Sequence, residues 1–217
     1  MEYIILIIFW VAWCALHSGM ISQRFTIFLK QHLGLRYRYY RLFFNLLAMV
    51  TLIPPVWYGI HLRKHLLWQV EGFWTLLRWG LLAVAVVLSI AGAMKYDLRQ
   101  FLGLRQIMTG RSAKALTASG QLDTTGILGI TRHPWYLAAL ILVWAGSPAV
   151  YVSTLIVQVV LSLYLIVGTL LEERKLIVEY GAAYRDYQKR VSMLLPVKCL
   201  SCKAFWTSLS VLNRLRK

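Results

Sequence analysis

Two groups of reactive side chains stand at the ends of one apolar stretch: Thr131-Arg132-His133-Pro134-Trp135-Tyr136 before it and Glu172-Glu173-Arg174 after it. Charged residues abutting segments of hydrocarbon length are costly unless they are paired, bound to something or facing water. Together these two groups therefore read as a site. Pro134 suits the first turn of a helix, and the N–H groups and positive dipole end found there favour an anion, such as a ligand carboxylate or phosphate beside Arg132 and His133. Taken singly, Arg132 is as readily a membrane-surface anchor and His133 as readily a helix cap. Glu172 and Glu173 suit an ammonium group or a proton; the plainer reading is a solvated helix end with Arg174 and Lys175 as partners. A tight hairpin between the groups brings them to one mouth. An anion site and a cation site side by side at an apolar pocket suit a zwitterion with a nonpolar partner.

The elements that must position these residues follow from composition. The chain has 217 residues, of which 59% are hydrophobic and 15% charged, which excludes an ordinary soluble domain. An all-α polytopic membrane protein with about five transmembrane helices is expected, because spanning a core of about 30 Å takes about 20 apolar residues. Expected spans are 3–21, 42–60, 73–94, Pro134 to Gly146, and 149–171. The fourth, at about 14 residues and about 21 Å, is too short to cross alone. Pro54-Pro55 should break or kink the second span near its end. The connection 95–132 holds Gly103, Gly110, Gly120, Gly126 and Gly129 and reads as irregular. A polar helix is expected from Glu172 to about Val191, ended by Pro196. A single domain over 1–197 divides into N-terminal spans, 3–94, and a binding core, 95–197. A basic tail follows over 198–217, with Phe205, Leu209 and Leu212 at helical spacing for a surface-lying amphipathic helix.

The net charge is +16, and the basic residues flank apolar spans. That arrangement suits anionic lipid headgroups and disfavours nucleic acid. The first connection carries Arg24, Lys30, Arg36, Arg38 and Arg41 with no acid. With 95–132 and the tail it is expected in the cytoplasm, leaving the N-terminus outside. Glu2 in place of a basic leader makes the first stretch a retained span rather than a signal peptide. Three cysteines give no disulfide framework. Cys199-x-x-Cys202 lacks a second ligand pair for zinc and suits palmitoylation. His17-Ser18 reads as a packed polar pair, and His61 with His65 as interfacial; no metal site is expected. Tyr37, Tyr39 and Tyr40 between arginines suit an interfacial aromatic belt.

Arg132-His133-Pro134-x-Tyr136, then Glu172-Glu173-Arg174-x-Leu176, Tyr180-Gly181-x-x-Tyr184-x-x-Tyr187, Val191 and Leu195-Pro196 resemble the membrane methyltransferases typified by isoprenylcysteine carboxyl methyltransferase. Asp97, Phe101-Leu102-Gly103-Leu104-Arg105-Gln106 and His17-Ser18 resemble the bacterial methanethiol S-methyltransferase and NnrU-like branch of that superfamily. The resemblance implies a bacterial inner-membrane enzyme that binds S-adenosylmethionine at the cytoplasmic mouth and methylates a thiol or carboxylate of a small or lipophilic acceptor entering from the bilayer. It implies cofactor contacts from Gln106, Gln121, Leu122, Leu128, His133, Pro134, Tyr136 and Glu172. Leu128 stands where relatives often have Tyr. Gly168 stands near where the eukaryotic carboxyl methyltransferases carry a substrate arginine, and its absence points to a different acceptor. For a thiol, the reactive species is the thiolate; Arg132, Arg174 or Arg105 would stabilise it, with Glu173 as the base. Two other readings stay open: a membrane reductase using NADPH, and a non-enzymatic accessory protein of the NnrU type.

Overall fold

Long apolar runs with few polar positions dictate long helices whose outer faces meet lipid rather than water. The structure, a computed structural model, describes residues 1–95, 98–109 and 122–198. Its helices are α1 (Glu2–Ile21), α2 (Gln23–Leu33), α3 (Tyr40–His61), α4 (Phe73–Ala93), α5 (Leu98–Leu102), α6 (Leu104–Thr109), α7 (Pro134–Ala145), α8 (Val152–Tyr180) and α9 (Ala182–Arg190). Two short strands, β1 (Leu66–Gln69) and β2 (Ala149–Tyr151), complete the described elements. The protein is an all-α polytopic membrane protein. The helices α1, α4 and α8 and the run Gln23–His61 that contains α3 are each long and apolar enough to span. With 12 residues, α7 is about 18 Å long and too short to cross alone, as its sequence implies.

Two packed seams hold the bundle. Leu6 and Trp10 of α1 and Leu62 after α3 are buried against Ile156, Val157 and Val160 of α8. Ala85 and Leu88 of α4 are buried against Leu137 and Ala138 of α7. At the second seam Gly92 is required: a Cβ there would lie 2.6 Å from the Trp135 ring, whose Nε1–H donates to Ser89 O at 3.0 Å.

The N-terminus, the segment after α3 and the α7–α8 turn share one end of the bundle, as expected. There β1 pairs antiparallel with β2, and Lys64 meets Glu2 at 2.8 Å. At the other end Arg41 Nε donates to Phe101 O at 3.0 Å and Asn45 to Leu102 O at 3.3 Å, docking α5 and α6 onto the start of α3.

Four expectations need correction. The first basic connection is not a loop, because Ser22 caps α2 by accepting from Phe25 N and Gly34, at φ +52°, ends it. Pro54 and Pro55 lie inside α3, which runs on to His61; neighbouring helices let a spanning helix tolerate proline. The fifth span does not stop at 171, since α8 continues to Tyr180 and ends at Gly181, φ +59°. Glu172 and Glu173 therefore sit inside a helix and not at the start of a new one. Finally, the described parts of the connection 95–132 hold α5, α6 and a 3-10 turn over Gly126–Gly129, so these parts are not irregular. Cys199, Cys202 and the tail lie outside the described residues.

Candidate functional site

Three chain segments converge at the α5–α6 end of the bundle. Arg132 N donates to Ser192 O at 3.0 Å and His133 N to Met193 O at 3.2 Å, while Thr131 Oγ1 donates to Met193 O at 3.1 Å. These bonds stitch the entrance of α7 to the strand-like segment after α9. Pro134 opens α7, and Leu137 N donates to His133 O at 3.0 Å. His133 occupies the N-cap position without a capping side-chain bond, because its ring turns toward α8.

The group it meets there is Glu173. This carboxylate is 6% exposed and accepts Arg132 Nε on Oε1 at 2.9 Å and Arg132 Nη2 on Oε2 at 2.7 Å. His133 Nε2 lies 2.7 Å from Oε1, Tyr184 OH donates to Oε1 at 2.6 Å, and Gln188 Nε2 donates to Oε2. Arg132 spends its remaining reach on the carbonyls of Gln188 and Val191. The anion that Arg132 and His133 engage is thus internal to the chain. Burial, and then the Glu173 carboxylate it donates to, push Tyr184 well above the ordinary phenol range, so Tyr184 stays a donor. Both oxygens of Glu173 are thus occupied by donors from α7 and α9 and their approaches.

Glu172 differs from its neighbour. Its side chain is 28% exposed and lies 3.8 Å from His133 Nδ1, with no hydrogen bond among the described residues. The His133 ring meets Tyr136 edge-on at 5.6 Å. Tyr136 lies against bare backbone on α8, where a Cβ on Gly168 would come within 3.4 Å of its ring. Leu128 is buried, and its carbonyl accepts from Tyr187 OH. Leu122 packs against Tyr184, Tyr187 and Val191. Gln106 and Pro134 are buried. Arg174 is exposed. Gln121 and Asp97 lie outside the described residues. A tether helps hold the approach to the site: Asp123 accepts from Lys95 Nζ at 2.9 Å and from Thr125 N at 2.8 Å. The Thr125 N–H, and then Lys95, hold Asp123 below the usual carboxylate range.

Gln188 and the carbonyls of Ser192 and Met193 carry no role in the sequence reading, yet they close the network. The available signal is spacing: Tyr184, Tyr187 and Gln188 fall on one face of a helix. Beside the site runs an apolar cleft of about 920 Å³ between α4, α7 and α8. Leu137 and Leu194 line its site end, and Trp68, Trp74 and Trp144 are among its other walls.

Methanethiol S-methyltransferase of Pseudomonas deceptionensis is 36% identical over 152 residues, 65% of this chain and 52% of the relative. Methanethiol S-methyltransferase 2 of Bradyrhizobium diazoefficiens is 35% identical over 130 residues, 59% of this chain and 49% of the relative. Methanethiol S-methyltransferase 1 of the same organism is 30% identical over 187 residues, 83% of this chain and 62% of the relative. The chain thus spans about half to three-fifths of the length of these curated relatives. No solved structure matches it significantly. The family model described as NnrU protein matches residues 5–210, nearly the whole chain with its site, and the chain belongs to the NnrU family.

Proposed function

We propose that this protein is a membrane methyltransferase that uses S-adenosylmethionine and methylates a thiol of a small or lipophilic acceptor. One observation carries the reading. Of two adjacent glutamates, Glu173 is saturated by Arg132, His133, Tyr184 and Gln188, while Glu172 is left open at the mouth. An accessible carboxylate beside His133 and an aromatic wall fits the ammonium group of a zwitterionic sulfonium. When bound, the cofactor supplies an electrophilic methyl group. Glu172 would bind its amino group, and His133, Pro134, Tyr136, Leu122 and Leu128, with Gln106, would form the rest of its surroundings. The methanethiol S-methyltransferases it resembles support a thiol as acceptor.

The chain's own residues then act by position and environment. Glu173 and Arg132 are positioning residues that lock α7, α8 and α9 in register, so His133 and Glu172 face one space. Arg132 is taken up by Glu173 and backbone carbonyls, which leaves Arg174 or Arg105 of the three arginines to stabilise a thiolate. A dry apolar surround favours a transition state in which opposite charges cancel, and fixed alignment of the reacting atoms supplies the rest. The acceptor reaches the mouth through the cleft between α4, α7 and α8. The mouth faces the cytoplasm, with the N-terminus outside, because the basic segments gather at that end.

Calorimetric titration of the detergent-purified chain tests this, with NADPH as the comparison ligand. Saturable S-adenosylmethionine binding, weakened at least tenfold by Glu172→Ala, is expected. Each factor of ten is about 1.4 kcal/mol, within the range of one hydrogen bond to a charged group. Binding of NADPH alone would move the protein to the reductases, and binding of neither would favour an accessory role.

A further inference from the structure

A second site lies at the opposite end of the bundle. A cavity of about 200 Å³ is lined by Trp10, Ser153, Gln158 and Arg63, with Gly59 and Leu161 among its apolar walls. Trp10, Ser153 and Gln158 are 5%, 1% and 2% exposed. Each presents a buried polar atom with no hydrogen-bond partner among the described residues: Trp10 Nε1, Ser153 Oγ and Gln158 Oε1. The Gln158 amide nitrogen donates to Val143 O at 3.1 Å, so its oxygen is the atom left over. Unmet buried polar atoms each cost a desolvation penalty, and three around one cavity mark a place built to be filled.

What fills it follows from the rim. The exposed lining residues are Val56, Ile60 and Arg63, so the opening lies along the lipid-facing edge of α3 and the turn after it. Arg63 stacks over the Tyr151 ring at 6.0 Å and forms no ion pair among the described residues; the nearby Glu2 is taken by Lys64. An entrant must therefore be apolar where it meets α3 and anionic where it meets Arg63. It must accept from the Trp10 indole N–H and the Ser153 hydroxyl, and donate to Gln158. A zwitterionic headgroup without a hydroxyl meets the last condition poorly.

We propose that this cavity binds a phospholipid with an anionic phosphate and a free headgroup hydroxyl. Its phosphate sits at Arg63, and its ester and hydroxyl groups satisfy Trp10, Ser153 and Gln158. Some fourteen residues of α8 separate Gln158 from Glu172, about 21 Å of helix, so the site is distinct from the mouth where the methyl donor is placed.

Native mass spectrometry of the full chain tests this in detergent containing equal phosphatidylglycerol and phosphatidylcholine of matched acyl chains. The wild type should retain one phosphatidylglycerol, at least about tenfold over phosphatidylcholine, the factor one charge-assisted hydrogen bond carries. Arg63→Gln, a surface change, should abolish that preference. Gln158→Leu, which also removes the bond to Val143 O, should lower phosphatidylglycerol retention when measured below the variant's own melting temperature. The proposal fails if the wild type retains no phospholipid, which would leave water as the filler. It also fails if the wild type retains both lipids alike, or if Arg63→Gln and Gln158→Leu keep the wild-type adduct.

Discussion

Replacing Glu173 by Gln probes the network that holds the site. The substitution preserves shape and removes one charge. Arg132 is 8% exposed and would be left buried without its counterion. The new amide group would also place N–H donors against Arg132 Nη2 or Gln188 Nε2, which now donate to Oε2. Removing one partner of a buried pair costs about 3–5 kcal/mol. At about 2–4 °C per kcal/mol for a chain of this size, the melting temperature should fall by about 6–20 °C. Tryptophan fluorescence during heating in detergent reads this directly. Arg132→Met combined with Glu173→Gln removes the stranded charge as well, so the double variant should melt above Glu173→Gln alone. Glu172→Ala changes a part-exposed side chain without a hydrogen bond among the described residues and should melt within about 2 °C of wild type, the scale of an ordinary surface change. A Glu173→Gln protein melting within that same margin, or a double variant whose losses simply add, would refute the view that Glu173 organises the mouth.

Two further outcomes follow from the packing. Gly92→Val places a Cβ 2.6 Å from the Trp135 ring, and overpacking of this kind costs about 1–3 kcal/mol; thermal unfolding checks it, and an unchanged melting temperature would mean that α4 and α7 are not tightly joined there. Asp123 is held below its ordinary value, so it contributes stability that is present above the unfolded carboxylate value and lost as pH falls through the folded one. The gap in melting temperature between wild type and Asp123→Asn should therefore be constant near neutrality and shrink as the solution is acidified below the ordinary aspartate range. A gap that widens in acid has the wrong sign and would remove the Lys95–Asp123 tether from the account.

The sequence carries the span pattern well because hydropathy over twenty residues is a strong signal: 3–21, 42–60 and 73–94 anticipate α1, α3 and α4 closely. Boundaries set by single residues are harder. Ser22 and Gly34 are capping types that mark α2, yet its basic content resembles a membrane-flanking loop. The run through Glu172 and Glu173 resembles a helix end because charge follows hydrocarbon. Only Gly181, with its positive φ, stops the chain. The pairing of β1 with β2 is set by long-range contact and leaves no local periodicity beyond a few residues.

The harder lesson concerns the two adjacent glutamates. Consecutive positions on a helix point about 100° apart, so one carboxylate can face a packed neighbour while the next faces an open mouth. Which is which depends on where α9 lies. Gly181 turns the chain so that Tyr184 and Gln188 come to Glu173 rather than Glu172, and the backbone pairing of Arg132 and His133 with Ser192 and Met193 delivers the guanidinium and the imidazole to the same carboxylate. Charge alone makes Arg132 look like a ligand anchor and Glu173 like a base. Once the donors around Glu173 are counted, both are committed to holding helices together, and the proposed binding role falls to the neighbouring Glu172. If that division is right, Glu173→Asp, which keeps the charge but shortens its reach, should lower both stability and S-adenosylmethionine affinity, whereas Glu172→Asp should lower affinity alone.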